Sequence, residues 1–255
     1  MALKISIVTP SYNQAEFLEA TLLSVLNQGY PNLEYIVIDG GSSDGSVEIL
    51  ERYRPRLSYL VSERDKGQTD ALIKGFARAT GDVLAWLNSD DLYEPWTLRQ
   101  VAAFFTRRPA ARFVFGDARW VDRAGRFLRP KREIPFNRFL WLHSYNYIPQ
   151  PSTFWRRNLY QQVGGLDPAF DLAMDADLWA RFSNVTPLHH VPRSWSRMRE
   201  YPEQKNQKRR VQSDAEDRRV RERFVRTAGL RWRAGRVLAR GLRVSWKAAT
   251  GCYRR

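Results

Sequence analysis

The 255-residue chain holds one cysteine, Cys252, which excludes any intrachain disulfide and any cysteine metal cluster. It has three histidines, and His189-His190 has no partner at metal-ligand spacing, so that pair reads as the end of a strand. No apolar run approaches the roughly 20 residues that span a bilayer. The first residues, MALKISIVTP, enter a strand-like run without the longer apolar core of a signal peptide, so a cytoplasmic location is expected. No G-x-G-x-x-G follows that run and no G-x-x-x-x-G-K-[ST] occurs, which disfavours dinucleotide binding and P-loop chemistry. What is present is globular in kind: 43% hydrophobic and 27% charged residues, enough to fold rather than remain disordered.

Charge is unevenly placed. The net charge is +15, but residues 200–255 hold 17 Lys/Arg against 6 Asp/Glu. The first 199 residues hold 25 against 21, so the body is nearly balanced and the tail is basic. An anionic partner for the tail follows, with phospholipid head groups preferred over nucleic acid because no nucleic-acid motif accompanies the charge.

Hydrophobic periodicity gives the architecture. Lys4–Val8, Leu33–Ile38, Leu57–Val61 and Val83–Leu87 read as strands. Between them, Ala15–Leu26 has apolar residues at helical spacing, Ser43 or Asp44 suits the cap of a helix ending at Tyr53, and Thr69–Ala79 reads as a helix. Pro95 suits the first turn of a helix running to about Arg107. Alternating strands and helices predict a Rossmann-like, mostly parallel α/β sheet. After residue 110 the pattern loosens, with short strands at Arg112–Phe115 and Arg119–Val121 and helices at Asn158–Val163 and Ala176–Phe182. Three regions are expected: 1–110, 111–200, and 201–255 as a basic helical extension.

Open α/β sheets bind ligands at the carboxyl ends of their strands. The four loops there are Thr9-Pro10-Ser11-Tyr12-Asn13, Asp39-Gly40-Gly41-Ser42-Ser43-Asp44, Glu63-Arg64-Asp65-Lys66-Gly67 and Asn88-Ser89-Asp90-Asp91. All four are polar or acidic. With Gln68-Thr69-Asp70-Ala71, Gly164-Gly165-Leu166-Asp167 and Met174-Asp175-Ala176-Asp177-Leu178-Trp179, they make the chain resemble a family 2 glycosyltransferase of GT-A fold over about residues 3–200.

The resemblance implies inverting transfer of a sugar from a nucleotide-diphosphate donor, UDP-sugar favoured, to an acceptor hydroxyl on a glycan or lipid-linked molecule. The resemblance makes 1–110 the nucleotide-sugar-binding half and 111–200 the acceptor-binding half of the GT-A domain, with polysaccharide or glycoconjugate biosynthesis as the expected setting. A donor diphosphate facing an acidic rim calls for Mg²⁺ or Mn²⁺, hard cations commonly held by one or two carboxylates plus phosphate oxygens. The resemblance gives the metal to Asp91 and the donor ribose to Asp90, beside Ser89. It gives the base to Asp39 and places Asp65 in the loop lining the base pocket. Thr9, Pro10, Tyr12, Glu63, Lys66, Gly67 and Asp70 complete the expected donor site. Asp175 is expected as general base, with Asp177 as second candidate. A downstream histidine common in relatives is absent from Arg199-Glu200-Tyr201-Pro202-Glu203-Gln204-Lys205, where Arg199 and Lys205 could neutralise phosphates and Tyr201 could donate a hydrogen bond. The alternative is a catalytically idle GT-A domain serving as a nucleotide-sugar-binding or membrane scaffold.

Two features stand outside those motifs. Residues 136–155 hold Phe136, Phe139, Trp141, Tyr145, Tyr147, Phe154 and Trp155, suited equally to a core and to a sugar-stacking surface. In the tail, Arg233, Arg236, Arg240, Arg243 and Lys247 form one helical stripe, with Leu238, Leu242, Trp246 and Ala249 opposite. A basic amphipathic helix of this kind predicts peripheral attachment to the inner face of an anionic membrane.

Overall fold

The computed structural model describes residues 2–225 and 230–252, without the side chains of 230–234. The first half alternates as the periodicity predicts: β1 (Ile5–Ser11), α1 (Ala15–Leu26), β2 (Leu33–Asp39), α2 (Ser46–Tyr53), β3 (Tyr59–Ser62), α3 (Gln68–Arg78), β4 (Val83–Trp86), β5 (Leu92–Tyr93) and α4 (Thr97–Arg107). The second half adds β6 (Phe113–Val121), β7 (Phe127–Lys131), α5 (Arg138–His143), β8 (Thr153–Arg156), α6 (Arg157–Gln162), α7 (Met174–Phe182) and β9 (His189–Arg199). Three helices end the chain: α8 (Lys205–Lys208), α9 (Arg210–Phe224) and α10 (Leu230–Ala249).

One mixed sheet runs β3-β2-β1-β4-β8-β6-β9-β5, with β7 paired to β6. β3, β2, β1 and β4 are parallel, and β4–β8, β8–β6 and β5–β9 are antiparallel. Residues 111–200 therefore extend the same sheet that the first 110 begin. The two short strands read at 112–115 and 119–121 are one strand, β6, running through Gly116-Asp117-Ala118. Of its partner β9 the sequence reading had only the His189-His190 end. Between Val191 and Ser194 the register shifts against Gly116 and Asp117, so Pro192 and Arg193 fall in a bulge where a missing N–H is harmless. Gly116 permits this approach, since a Cβ there would lie 2.6 Å from the Trp195 ring.

Strand residues alternate between two apolar faces. Ile5, Ile7, Tyr35 and Val37 join one core; Val8, Ile36, Ile38 and Trp86 join the other. Burial on both faces is what parallel strands covered by helices require. Gly75 lets α3 settle on β1, because a Cβ there would meet Val8 at 2.4 Å. On that face Trp86 stacks on Trp179, ring centroids 5.6 Å apart, with Trp155 edge-on to both. The aromatic run 136–155 accordingly serves mostly the core: Trp141, Tyr147, Phe154 and Trp155 are fully buried, whereas Phe139 and Tyr145 are exposed.

The C-terminal helices pack on this body. Glu216 of α9 is buried, and its Oε2 accepts the backbone N–H groups of Asp171, Leu172 and Ala173, capping the approach to α7. Arg221 pairs with Asp217 and donates to the carbonyls of Trp141 and Leu142. α10 lies against α5 and uses part of the basic stripe to do so. Lys247 is buried, 2.6 Å from Glu133, and Arg243 donates to Ser144 and Tyr145. Arg236 and Arg240 are exposed, and the side chain of Arg233 lies outside the described residues. Among the described residues no helix is long and apolar enough to cross a membrane.

Candidate active site

The carboxyl ends of β1 to β4 bring the four polar loops to one rim. In the first loop, Thr9 is fully buried with its hydroxyl 3.0 Å from Tyr35 Oη, and Pro10 is buried beside it. Both are enclosed at the carboxyl end of β1. Tyr12, 61% exposed, and Asn13 are the residues of this loop turned outward.

Asp39 is also enclosed. Its carboxylate accepts from the Gly41 and Ser42 N–H groups and from the hydroxyls of Ser42 and Ser62 at 2.6–3.1 Å. With no exposed surface it shapes the loop, an Asx turn tied across to β3. Asp44 serves two helices: Oδ1 accepts the Ser46 N–H at the start of α2, and Oδ2 accepts the Ala15 N–H at the start of α1.

The third loop stays partly open. Asp65 receives the Gly67 N–H and packs against Gly40; burial, helped by Asp70 and Asp39, raises its pKa. Asp70 accepts the Lys66 N–H and lies 3.4 Å from Lys74, which also binds the exposed Glu63. Gly67 adopts φ +109°, accessible to glycine, where the loop turns into α3.

At the exit of β4, Ser89 and Asp91 are buried, and their carbonyls accept the Thr21 hydroxyl. Asp90 is half-buried and accepts a hydrogen bond from Tyr201 Oη at 2.9 Å. Asp91 Oδ1 accepts the Arg199 N–H at 3.1 Å, and the Arg199 guanidinium donates to the Asp90 carbonyl. Burial, then repulsion from Asp90, pushes the Asp91 pKa well up. Arg199 is itself buried, which lowers its pKa, and its Nε lacks a hydrogen-bond partner among the described residues. The segment without a histidine thus returns to the acidic pair with Arg199 and Tyr201.

Among the described residues no group of three or more His, Cys, Asp or Glu could hold a metal. The Asp90–Asp91 pair fits Mg²⁺ or Mn²⁺ in another sense. Its donors are hard oxygens, its like charges are stacked and partly desolvated, and such cations commonly complete their shell with substrate phosphate and water.

A polar chain crosses from this pair toward the second half. Gln68 donates to Asn88 Oδ1 (2.8 Å), Asn88 to Gln150 (3.2 Å) and Gln150 to the Trp86 carbonyl (3.0 Å). Lys205 reaches Gln68 at 3.3 Å and Asp171 at 2.6 Å. Thr69, at the start of α3, donates to the Phe170 carbonyl (2.7 Å), and its hydroxyl lies 3.0 Å from Met174 Sδ. The first turn of α7 is therefore held beside the donor loops.

That turn carries both candidate bases, and they part company. Asp177 is fully buried, 2.7 Å from Arg181 and 3.0 Å from Arg223. Enclosed in this way, it forms an ion pair that joins α7 to α9. Asp175 keeps some exposed surface. Its Oδ1 accepts the Ala176 N–H (2.7 Å) and its Oδ2 the side-chain amide of Asn146 (2.8 Å). Burial, aided by Asp217, outweighs those hydrogen bonds and raises the Asp175 pKa to about 6. Asn146, Asp171 and Glu216 were not anticipated; their contacts span 29 to 45 residues, and no local signal marks them.

Comparison with known proteins gives the family and the fold. The family described as "Glycosyl transferase family 2" matches residues 6–164, more than half of the chain. An uncharacterized glycosyltransferase of Mycobacterium tuberculosis is 32% identical over 183 residues, covering 71% of this chain and 69% of the relative. A PGL/p-HBAD biosynthesis glycosyltransferase of Mycobacterium bovis is 33% identical over 194 residues, covering 73% of each. Among solved structures, S. aureus TarS in complex with UDP superposes with TM-score 0.68 at 20% identity, covering 91% of this chain and 68% of that one. The mannosyltransferase PcManGT from Pyrobaculum calidifontis, in complex with GDP-Man and Mn²⁺, gives TM-score 0.67 at 17% identity, covering 98% and 76%. The sheet and its flanking helices have the GT-A fold, and the chain belongs to glycosyl transferase family 2.

Proposed function

We propose that the protein is an inverting glycosyltransferase that moves a sugar from a nucleoside diphosphate, UDP favoured, to a hydroxyl of a glycan or lipid-linked acceptor. The observation that carries this reading is Asp175: a partly accessible carboxylate with a pKa raised to about 6, on a helix turn held beside the donor loops. A base poised near neutrality suits removal of a hydroxyl proton.

Asp175 takes the acceptor's proton as that oxygen attacks the anomeric carbon. The bond to the nucleoside diphosphate breaks on the opposite face, which inverts the configuration. Tyr12, Asp65, Lys66 and Gly67 border the nucleoside, Asp90 with Ser89 borders the ribose, and Lys205 with Arg199 supplies positive charge near the diphosphate. Asp91, assisted by Asp90, would hold Mg²⁺ or Mn²⁺, which when bound offsets charge on the departing diphosphate. TarS in complex with UDP-GlcNAc and PcManGT with GDP-Man and Mn²⁺ support a nucleotide-sugar donor and a divalent cation. The relative named for PGL/p-HBAD biosynthesis supports glycoconjugate assembly. We place the enzyme in the cytoplasm, resting on the inner face of the plasma membrane through α10.

The test is release of nucleoside diphosphate from a donor panel with Mn²⁺ present. One donor should be consumed by the wild type, Asp91→Ala should abolish its consumption, and Asp175→Asn should bind donor yet fail to transfer. Absence of binding to every nucleotide sugar would overturn the reading in favour of an idle scaffold.

A further inference from the structure

We propose that Asn146 is a positioning residue: its side-chain amide, oriented by the indole of Trp141, fixes the rotamer in which Asp175 meets the acceptor hydroxyl. This rests on the reading of Asp175 as the base. The indole Nε1–H of Trp141 lies 3.1 Å from one side-chain atom of Asn146, and an indole can only donate. That atom is therefore Oδ1. The amide NH₂ then faces Asp175 Oδ2 at 2.8 Å, and no flipped alternative satisfies both contacts. Trp141 is fully buried on α5, so the amide is held from a rigid support.

The charges around Asp175 show why an amide is suited to this place. From α9, Asp217 pushes the Asp175 pKa up, while Asp217 itself is held 2.6 Å from Arg221. Arg221 also grips the carbonyls of Trp141 and Leu142, so α5, α9 and the base form one connected unit. On α7 itself, Asp177 is already neutralised by Arg181 and Arg223. From α10, Arg243 is committed to Ser144 and Tyr145, next to Asn146 in sequence. A cation at 146 would hold Asp175 ionised but far too weakly basic. A carboxylate there would repel it. A neutral donor stabilises the ionised form while leaving the pKa near neutrality.

The test is ¹³C-carboxyl NMR titration of the full chain, with Asp175→Asn used to assign the signal. Asn146→Ala should raise the Asp175 midpoint from about 6 by about one pH unit, since a hydrogen bond to a charged group is worth roughly that. Asn146→Asp, which retains an acceptor for Trp141, should raise it further and serves if the alanine variant does not fold. The acid limb of UDP release from a UDP-sugar, with water in the acceptor's place, should move in the same direction. An unmoved midpoint in both variants, while Asp175→Asn remains inactive, overturns the role of Asn146 and leaves the base intact. UDP release by Asp175→Asn at the wild-type rate overturns the base reading and this inference with it.

Discussion

Lys205 Nζ lies 2.6 Å from Asp171 Oδ1 and also reaches the Gln68 side chain, so a C-terminal cation bridges the acceptor-side loop and the start of α3. Arg209 binds the other Asp171 oxygen at 2.6 Å. Because Lys205 borders the proposed diphosphate position, Lys205→Ala should weaken UDP binding by roughly tenfold, the value of one charge-assisted hydrogen bond. Asp171→Asn should leave UDP binding unchanged or tighter, because the ammonium is then freer to meet phosphate. Calorimetric titration with UDP and Mn²⁺ checks both; equal affinity in wild type and Lys205→Ala would remove Lys205 from the donor site.

Glu216 offers a stability test. Its carboxylate satisfies three consecutive backbone N–H groups ahead of α7. Glu216→Ala strands those donors in a buried place, at about 1–3 kcal/mol each before water relieves some of the loss. We expect a loss of about 3 kcal/mol in urea denaturation and, because Asp175 sits on the first turn of α7, a larger fall in transfer than in donor binding. A transfer rate matching the wild type would show that the cap does not fix the base.

The Glu216 cap also marks where the sequence stops being readable. Local signals worked where a segment's own periodicity decides its structure: α1 spans Ala15–Leu26 as its apolar spacing predicts. β6 was split in two and β9 was seen only at its His189-His190 end, because Gly116-Asp117-Ala118 and Pro192-Arg193 break the alternation; pairing across 70 or more residues rescues both. The site divides in the same way. Four polar loops at the strand ends were visible as a set, since topology alone places them on one rim. Which side chains point outward was not. Thr9, Asp39 and Asp177 are each closed by a partner that no local signal announces: Tyr35, the Ser42–Ser62 hydroxyls, or two arginines.

A pH-dependent stability term follows from Glu34. Its carboxylate, nearly buried, accepts from Ser6, from the N–H and hydroxyl of Thr80, and pairs with Lys4 at 2.6 Å. Although burial alone would raise its pKa, Lys4 and these hydrogen bonds lower it from 4.5 to about 2. A depressed folded-state pKa gives stability that is fully present above 4.5 and lost as pH falls toward 2. The linkage is worth about 3 kcal/mol at most. Glu34→Gln should therefore be destabilised at pH 7 and converge on the wild type near pH 2–3, as followed by urea midpoints across that range. Parallel curves would show that Glu34 is not the titrating group.

The exposed face of α10 differs from the one its sequence suggested. Arg243 and Lys247 are turned to protein partners, whereas Val237, Leu238, Leu242 and Val244 are 43–75% exposed. Leu242 also borders a groove of about 510 Å³ lined by Phe139, Leu140 and Trp246. If α10 rests on a bilayer, apolar insertion supplies much of the affinity, and Arg236 and Arg240 add about 1 kcal/mol each through anionic lipid. Leu238→Glu with Leu242→Glu should abolish flotation with phosphatidylglycerol vesicles at every salt concentration. Arg236→Glu with Arg240→Glu should weaken flotation chiefly at low salt and flatten its salt dependence. Should the leucine pair float as well as the wild type, the outer face of α10 is not the membrane contact. A concentration-dependent dimer lost in the same variant would instead assign that face to a second copy of the chain.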